Sequence, residues 1–226
     1  MSQLQQSDFA GTYQNNTVRL WQCLNDLKKQ VTVEIDQNDL QVLRTGKYML
    51  CVAKKIAEGE YNVVWQAFDN YLCNNVFSWT PQYQLFGSIQ FNAGATVVVS
   101  TNSVNIGLGQ TATLSSLGIL QSPISGGSQT GFIMDNEFGS IHVGVSQLCT
   151  QLDGSIVSSP IYVSTEAVLK GTITLTPVER VLIWFQQNIA TGTMFSEART
   201  NALELSLTIT NSVKCLFKAQ QWHIAG

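Results

Sequence analysis

A cluster of aromatic and amide side chains between residues 69 and 83 has the chemistry needed to bind a small polar ligand. Aromatic faces stack on the apolar faces of sugars and attract quaternary ammonium groups. Amide and carboxylate side chains supply the directional hydrogen bonds that such ligands need. The sequence therefore predicts a site for a sugar or a lipid head group in a loop. The candidate ligand-binding residues are Asp69, Tyr71, Asn74, Asn75, Trp79 and Tyr83.

The segment around this cluster resembles the phosphocholine-binding strand and loop of actinoporins. In both, an apolar strand runs into an aromatic residue and Asp, followed by Leu, Asn and a further aromatic residue. The residues at matching positions are Phe68, Asp69, Leu72, Asn75 and Phe77. The resemblance covers about residues 48–77, and the basic tract that follows the loop in actinoporins is missing here. It implies a β-sandwich with a head-group site on a loop.

Residues suited to catalysis or metal binding are few and widely spaced. His142 and His223 have no metal-binding spacing, and Asp135 with Glu137 fits a turn between strands as well as an acid–base pair. Residues 107–112 match a Gly-x-Gly-x-x-Ala pattern, but the helix that a dinucleotide site requires does not follow. The five cysteines include no Cys-x-x-Cys pair, and their odd number argues against a full disulfide framework. The sequence thus predicts no catalytic residue, no metal and no cofactor, and it favours a protein that is not an enzyme.

Short strands must position the candidate residues. The predicted strands are 31–35, 48–53, 61–66, 84–91, 96–100, 104–114, 132–145 with an interruption at 135–137, 156–163, 171–175, 181–185, 203–209 and 213–217. Gly, Pro, Asn and Asp separate these strands, as in sandwiches and barrels. We therefore expect an all-β fold, an antiparallel β-sandwich or barrel of ten or more short strands with little helix.

Several connections between these strands are predicted as well. Residues 36–39 have the composition of a turn, and residues 68–82 lose the period of two and are expected to form a long aromatic loop. Strands 48–53 and 61–66 are expected to pair with each other, and strands 203–209 and 213–217 are expected to form a hairpin.

The chain is expected to form a flexible N-terminal arm at residues 1–16 and a single all-β domain at 17–226. Residues 18–24 read either as a strand or as part of a helical face, and the strand interpretation is favoured. A weak similarity between residues 87–99 and 171–183 leaves a pseudo-repeat of two halves open.

The distribution of charge limits the classes of partner. Only 12% of the residues are charged, the net charge is −3, and no Asp, Glu, Lys, Arg or His occurs in residues 70–134. A nucleic-acid partner is not expected, because it requires several cations facing phosphates. An uncharged surface of this length suits a homo-oligomer interface or a membrane surface. The first residues do not form a signal peptide, so we expect a cytoplasmic or non-classically released protein.

The leading hypothesis is a non-catalytic recognition protein, lectin-like or membrane-surface-binding. One alternative is an oligomerising, toxin-like β-pore former that inserts residues 104–134, because an 11-residue amphipathic strand can cross a bilayer. A second alternative is a self-assembling structural protein. A third is a small-molecule enzyme with a barrel-like cavity, in which His142 and a carboxylate would meet.

Overall fold

The computed structural model describes residues 27–57 and 59–225, and within these ranges the chain forms fifteen strands and one helix. The helix, α1, spans Gln37–Thr45. The strands are β1 Lys29–Ile35, β2 Met49–Ile56, β3 Gln66–Phe68, β4 Asn74–Ser88, β5 Val104–Ile106, β6 Gln110–Leu114, β7 Ile124–Ser125, β8 Phe132–Asn136, β9 His142–Thr150, β10 Ile156–Val163, β11 Gly171–Leu175, β12 Pro177–Gln186, β13 Leu203–Ser206, β14 Ser212–Lys218 and β15 Gln221–Ala225.

The strands form three sheets. The large sheet has the order β10-β9-β4-β1-β14-β15, with β5 also paired to β4. The second sheet has the order β13-β12-β2-β3, and the third has the order β11-β8-β6-β7. Most neighbours are antiparallel, but β1 pairs with β14 and β6 pairs with β8 in parallel. The predicted all-β class with little helix is confirmed.

The core follows from alternation of apolar and polar residues. In β1, Val31, Val33 and Ile35 are buried while the residues between them are not, as expected for a strand with one face on the core. Trp65 lies among the buried rings, with its centroid 4.9 Å from that of Phe77 in an edge-on arrangement. Such aromatic packing adds to the apolar area that the sheets bury together.

The predicted turn at residues 36–39 is wrong, because the chain enters α1 there. Asp36 is the N-cap, and its Oδ1 accepts a hydrogen bond of 3.0 Å from the backbone N–H of Asn38. This side-chain bond serves turns and helix starts alike, so the sequence did not distinguish them. Leu40 and Leu43 then fix the helix by burying one face.

The predicted strand 104–114 is also wrong as a single element. It divides into β5 and β6, which belong to different sheets, at a turn where Gly109 has φ +79°. Moreover, β6 runs parallel to β8, so residues 104–134 do not form the two arms of one hairpin. A positive φ suits glycine, which explains why the strand breaks there.

Two predicted strand pairings are corrected. Residues 203–209 and 213–217 do not form a hairpin, because β13 pairs with β12 and β14 pairs with β1 and β15. Of residues 61–66, only Gln66 lies in a strand paired with β2, as the first residue of β3. Residues 96–100 form no strand beyond a single bridge between Thr96 and Thr193. The arm at 1–16 and the element at 18–24 lie outside the described residues.

Candidate groove beside the β4 bulge

The predicted aromatic loop at residues 68–82 is for the most part the long central strand β4. Its pairing with β9 shifts between Trp79 and Tyr83, which is a β-bulge. Pro81 lies in this bulge, where a residue without a backbone N–H is tolerated. The side chain of Gln147 holds the bulge from β9, since its Nε2 donates a hydrogen bond of 2.9 Å to the carbonyl oxygen of Thr80.

Trp79 and Tyr83 flank the bulge and turn their rings towards the interior. Both residues are buried, and the Tyr83 ring packs on Phe132 of the third sheet at 5.6 Å. The indole Nε1 of Trp79 donates a hydrogen bond of 2.7 Å to Glu179 Oε2. Trp79 thus connects β4 to Glu179 of the second sheet, whereas Tyr83 packs on the third sheet and also lines the groove described below.

The ion pair behind these rings is almost removed from solvent. Lys54 is fully buried and its ammonium lies 5.1 Å from the centroid of the Trp79 ring. Burial lowers the pKa of Lys54 to about 8, and the carboxylate of Glu179 opposes that effect. Such a buried lysine is a frequent feature of functional sites, but Lys54 is too deeply enclosed to meet a ligand directly.

The remaining predicted ligand-binding residues do not converge on one surface. Tyr71 is buried and donates a hydrogen bond of 2.8 Å to the carbonyl oxygen of Tyr48. Asn75 is buried and closes the turn before β4 by bonds to both backbone groups of Leu72. Asp69 and Asn74 are exposed at that turn. Tyr71 and Asn75 therefore stabilise the fold at the start of β4, while Trp79 and Tyr83 lie further along the strand.

A groove of about 490 Å³ lies on the exposed side of the bulge. Its lining residues are Pro81, Gln82, Tyr83, Gln84, Asn105, Ile106, Gly107, Gln110, Leu148 and Ser158. No Asp, Glu, Lys, Arg or His is among them. Neutral polar side chains and a few apolar ones thus form the whole surface, and the volume falls in the range of small-molecule sites.

The polar side chains of the groove are tied together across three strands. Gln84 Nε2 donates to Asn105 Oδ1 at 3.0 Å, and Ser158 Oγ donates to Gln84 Oε1 at 2.8 Å. Gln110 Oε1 accepts a hydrogen bond of 2.8 Å from the backbone N–H of Gly107. These contacts fix the orientation of the amides of Gln84 and Gln110 before any ligand arrives, which lowers the entropic cost of binding.

Sequence reasoning included Tyr83 but missed the other residues of the groove. Asn105 belongs to the polar positions of the predicted strand 104–114, so its exposure was foreseeable. Gln110 is in the register of the apolar positions, and it reaches the groove because the chain turns at Gly109 between β5 and β6. Ser158 lies on β10, far along the chain, and only the order β10-β9-β4 brings it to Gln84. No local pattern carries that information.

The candidate catalytic residues occupy ordinary structural positions. The Nδ1 of His142 lies 2.7 Å from the carbonyl oxygen of Ser164, so this nitrogen donates to the backbone. Asp135 accepts a hydrogen bond of 3.4 Å from the hydroxyl of Thr172, and Glu137 is exposed. Within residues 27–57 and 59–225, no three His, Cys, Asp or Glu side chains are grouped so as to hold a metal ion.

Comparison with known proteins gives no relative for this geometry: no family model matches the chain, no curated protein matches it and no solved structure matches it. The described part of the chain contains no helix long and apolar enough to span a membrane. Function must therefore be inferred from the side chains themselves.

Proposed function

We propose that the protein is a non-catalytic, lectin-like recognition protein that binds an uncharged saccharide in the groove beside the β4 bulge. The observation that carries the proposal is the lining: a groove of about 490 Å³ whose polar side chains are amides and the hydroxyls of Tyr83 and Ser158, with no ionic side chain. A charged ligand would lose its hydration there without gaining an opposite charge. A neutral sugar meets no such penalty.

The groove offers the hydrogen bonds that sugar hydroxyls require. Each hydroxyl both donates and accepts, and amide side chains present both functions side by side. Within the described residues, Asn105 Nδ2 and Gln110 Nε2 donate to no other group, whereas the oxygens of the same side chains are already paired. The groove therefore presents donors to a ligand, and Pro81 and Leu148 supply apolar surface for the C–H face of a sugar ring.

The experiment is a binding screen of neutral and anionic oligosaccharides against the full chain, followed by calorimetry on any ligand found. We expect neutral oligosaccharides to bind and their sialylated or sulfated counterparts to bind more weakly. Asn105→Ala and Gln110→Ala are each expected to weaken binding by roughly three- to tenfold, which corresponds to one hydrogen bond.

The matched control is Gln41→Ala, an exposed amide on α1 remote from the groove. This variant is expected to bind like the wild type. Absence of any neutral ligand, or equal affinity in the Asn105→Ala, Gln110→Ala and Gln41→Ala variants, would show that the groove is not a saccharide site.

A further inference from the structure

Four loops at one end of the molecule expose large apolar side chains. The loops are residues 89–101, 115–120, 137–139 and 165–170, and we call this end the apolar pole. Its exposed apolar residues are Ile89, Val98, Val99, Leu117, Ile119, Phe138 and Leu169. Leu117 is 82% exposed, Leu169 72% and Ile89 70%. Single exposed apolar residues are ordinary, but a group of this kind on neighbouring loops indicates an interaction surface.

The strand register places these loops together. The parallel strands β6 and β8 end side by side, with Leu114 opposite Asn136, so the loops at 115–120 and 137–139 leave the third sheet at the same edge. β11 begins at this edge as well, since Gly171 pairs with Asn136, which brings the loop at 165–170 to it. The ring of Phe138 lies against Gly118, where an added Cβ would be 3.3 Å from Phe138 Cε2.

The loop at 89–101 is joined to the same end by Asn102. Its Oδ1 accepts a hydrogen bond of 2.8 Å from the N–H of Leu120, and its Nδ2 donates one of 2.9 Å to the carbonyl oxygen of Leu120. Nearer to β4, the N–H of Ser100 donates a hydrogen bond of 2.8 Å to the carbonyl oxygen of Gly87. The exposed Val98 and Val99 are therefore held near the third sheet.

Two asparagines hydrogen-bond to the backbone of the pole's own loops. Asn136 is buried and donates to the carbonyl oxygens of Gly139 at 2.6 Å and Leu169 at 3.0 Å, while its Oδ1 accepts from the N–H of Phe138 at 3.0 Å. A protein partner is normally held by about one hydrogen bond per 100–200 Å² of interface. Asn102, which is exposed and could otherwise supply such a bond, is engaged by Leu120.

The charges of the pole also favour an apolar environment. The loops at 89–101 and 115–120 contain no ionic side chain. In the other two loops the charged residues are Glu137, Glu166 and Lys170, all exposed. Nothing here forms the cluster of cations that anionic lipids attract, whereas zwitterionic head groups need no counter-charge.

We propose that the apolar pole docks the protein on the surface of a lipid bilayer, with the side chains of these loops entering the interfacial region. Interfacial binding scales with the apolar area that is buried. The proposal is independent of the saccharide groove, because none of the pole residues lines that groove.

The test is flotation of the full-length protein with phosphatidylcholine vesicles at 0.1 M and 0.5 M NaCl. We expect the wild type to float at both salt concentrations, because apolar burial is not screened by ions. The double variant Leu117→Asp/Ile119→Asp is expected to lower the bound-to-free ratio at least about tenfold, since it removes two apolar side chains from the interface.

The matched control is Leu72→Asp. Leu72 is 58% exposed and precedes the start of β4, whereas the pole lies beyond the end of this strand. This variant is expected to float like the wild type, and circular dichroism checks that all variants are folded.

The proposal is overturned if the wild-type protein does not float with the vesicles. It is also overturned if the Leu117→Asp/Ile119→Asp variant floats like the wild type. Light scattering provides a further test, because it measures the oligomeric state of the protein. A dimer that the same double variant dissociates, without vesicle binding by the wild type, would assign the pole to a second copy of the chain and would also overturn it. Saccharide binding is expected to be unchanged in the double variant, so the two proposals can fail separately.

Discussion

The ammonium of Lys54 lies 3.0 Å and 3.1 Å from the two carboxylate oxygens of Glu179, in the interior between β2, β12 and β4. Lys54 is fully buried, and the side chain of Glu179 is 21% exposed. Glu179 also accepts the indole N–H of Trp79. Since a buried ion pair contributes little net stability, its effect here is to fix which side chains meet where β12 passes the bulge of β4.

The first prediction concerns the pH dependence of stability. Burial lowers the pKa of Lys54 to about 8 in the folded protein, while the unfolded chain has an ordinary value near 10.5. Between these values the unfolded state binds more protons, so stability rises with pH. The free energy of unfolding of the wild type, relative to that of Lys54→Met, is expected to rise by up to about 3 kcal/mol from pH 8 to pH 10.5.

The measurement is urea unfolding of both proteins across this pH range. Burial raises the pKa of Cys51, Cys149 and Cys215 to about 12, which lowers stability as pH rises through the value of the unfolded thiols. Because both proteins contain these cysteines, that contribution cancels in the difference. If the free energies of unfolding of the wild type and of Lys54→Met change in parallel with pH, the prediction is contradicted.

A second prediction separates the two sides of the β4 bulge. Trp79→Ala is expected to lower the free energy of unfolding by about 3–5 kcal/mol, because it leaves a cavity and removes the hydrogen bond to Glu179. Gln84 lies on the groove side of the bulge. Gln84→Ala is therefore expected to change the free energy of unfolding by less than about 1 kcal/mol, and it is expected to weaken saccharide binding. Chemical unfolding and calorimetry on both variants give the comparison. If the free energy of unfolding of Trp79→Ala equals that of the wild type, the burial of the Trp79 side chain is contradicted.

The fold class was predictable because the strand signal is local. Alternation is unbroken in β1 and is bounded by polar residues. The predicted strands at 156–163 and 171–175 coincide with β10 Ile156–Val163 and β11 Gly171–Leu175. In these segments the period of two and the flanking turn residues agree, so neighbouring strands were not needed to recognise them.

The first part of the central strand β4, up to the bulge, was missed for a physical reason, whereas its second part overlaps the predicted strand 84–91. Phe77, Ser78 and Trp79 are buried consecutively, and the bulge at Pro81 interrupts the register. A strand that lies in the middle of a sheet and contains a bulge loses the alternation by which strands are recognised. The predicted loop residues therefore became core residues, and the groove formed on the other side.

The pairing of Lys54 with Glu179 lies beyond sequence reasoning altogether. The two residues are 125 positions apart, and they meet only because β2 and β12 are neighbours in the second sheet. Lys54 and Lys55 directly follow the predicted strand 48–53, and two consecutive lysines in that place are typical of a solvated strand end. Burial of Lys54 is a property of the assembled sheets.

A third prediction tests how the groove depends on the bulge. Gln147→Leu preserves the approximate volume of the side chain but leaves the carbonyl oxygen of Thr80 without its donor, at a cost of about 1–3 kcal/mol in stability. Because Thr80 precedes the groove residues Pro81 and Gln82, saccharide affinity is expected to fall as well. Ser146→Ala, a buried neighbour on β9, is the control and is expected to retain affinity. Unchanged affinity in Gln147→Leu would show that the bulge does not position the groove.

A fourth prediction concerns the apolar pole. Asn136→Ala removes the amide that joins the loops at 137–139 and 165–170, and it leaves partly buried carbonyl oxygens of Gly139 and Leu169 without this donor. We expect a loss of about 2–4 kcal/mol in the free energy of unfolding, from more than one unpaired group, and faster hydrogen exchange at the N–H groups of Phe138 and Gly139. Vesicle flotation is expected to weaken although every exposed apolar side chain remains.

The comparison with Asn102→Ala makes this prediction specific. Asn102 joins a different pair of loops through Leu120, so its loss is expected to raise exchange at Leu120 and to leave Phe138 and Gly139 protected. If both variants loosen all four loops, the pole moves as one cooperative unit. If neither weakens flotation, the apolar side chains act without a fixed arrangement, and the preorganisation inferred from Asn136 is wrong.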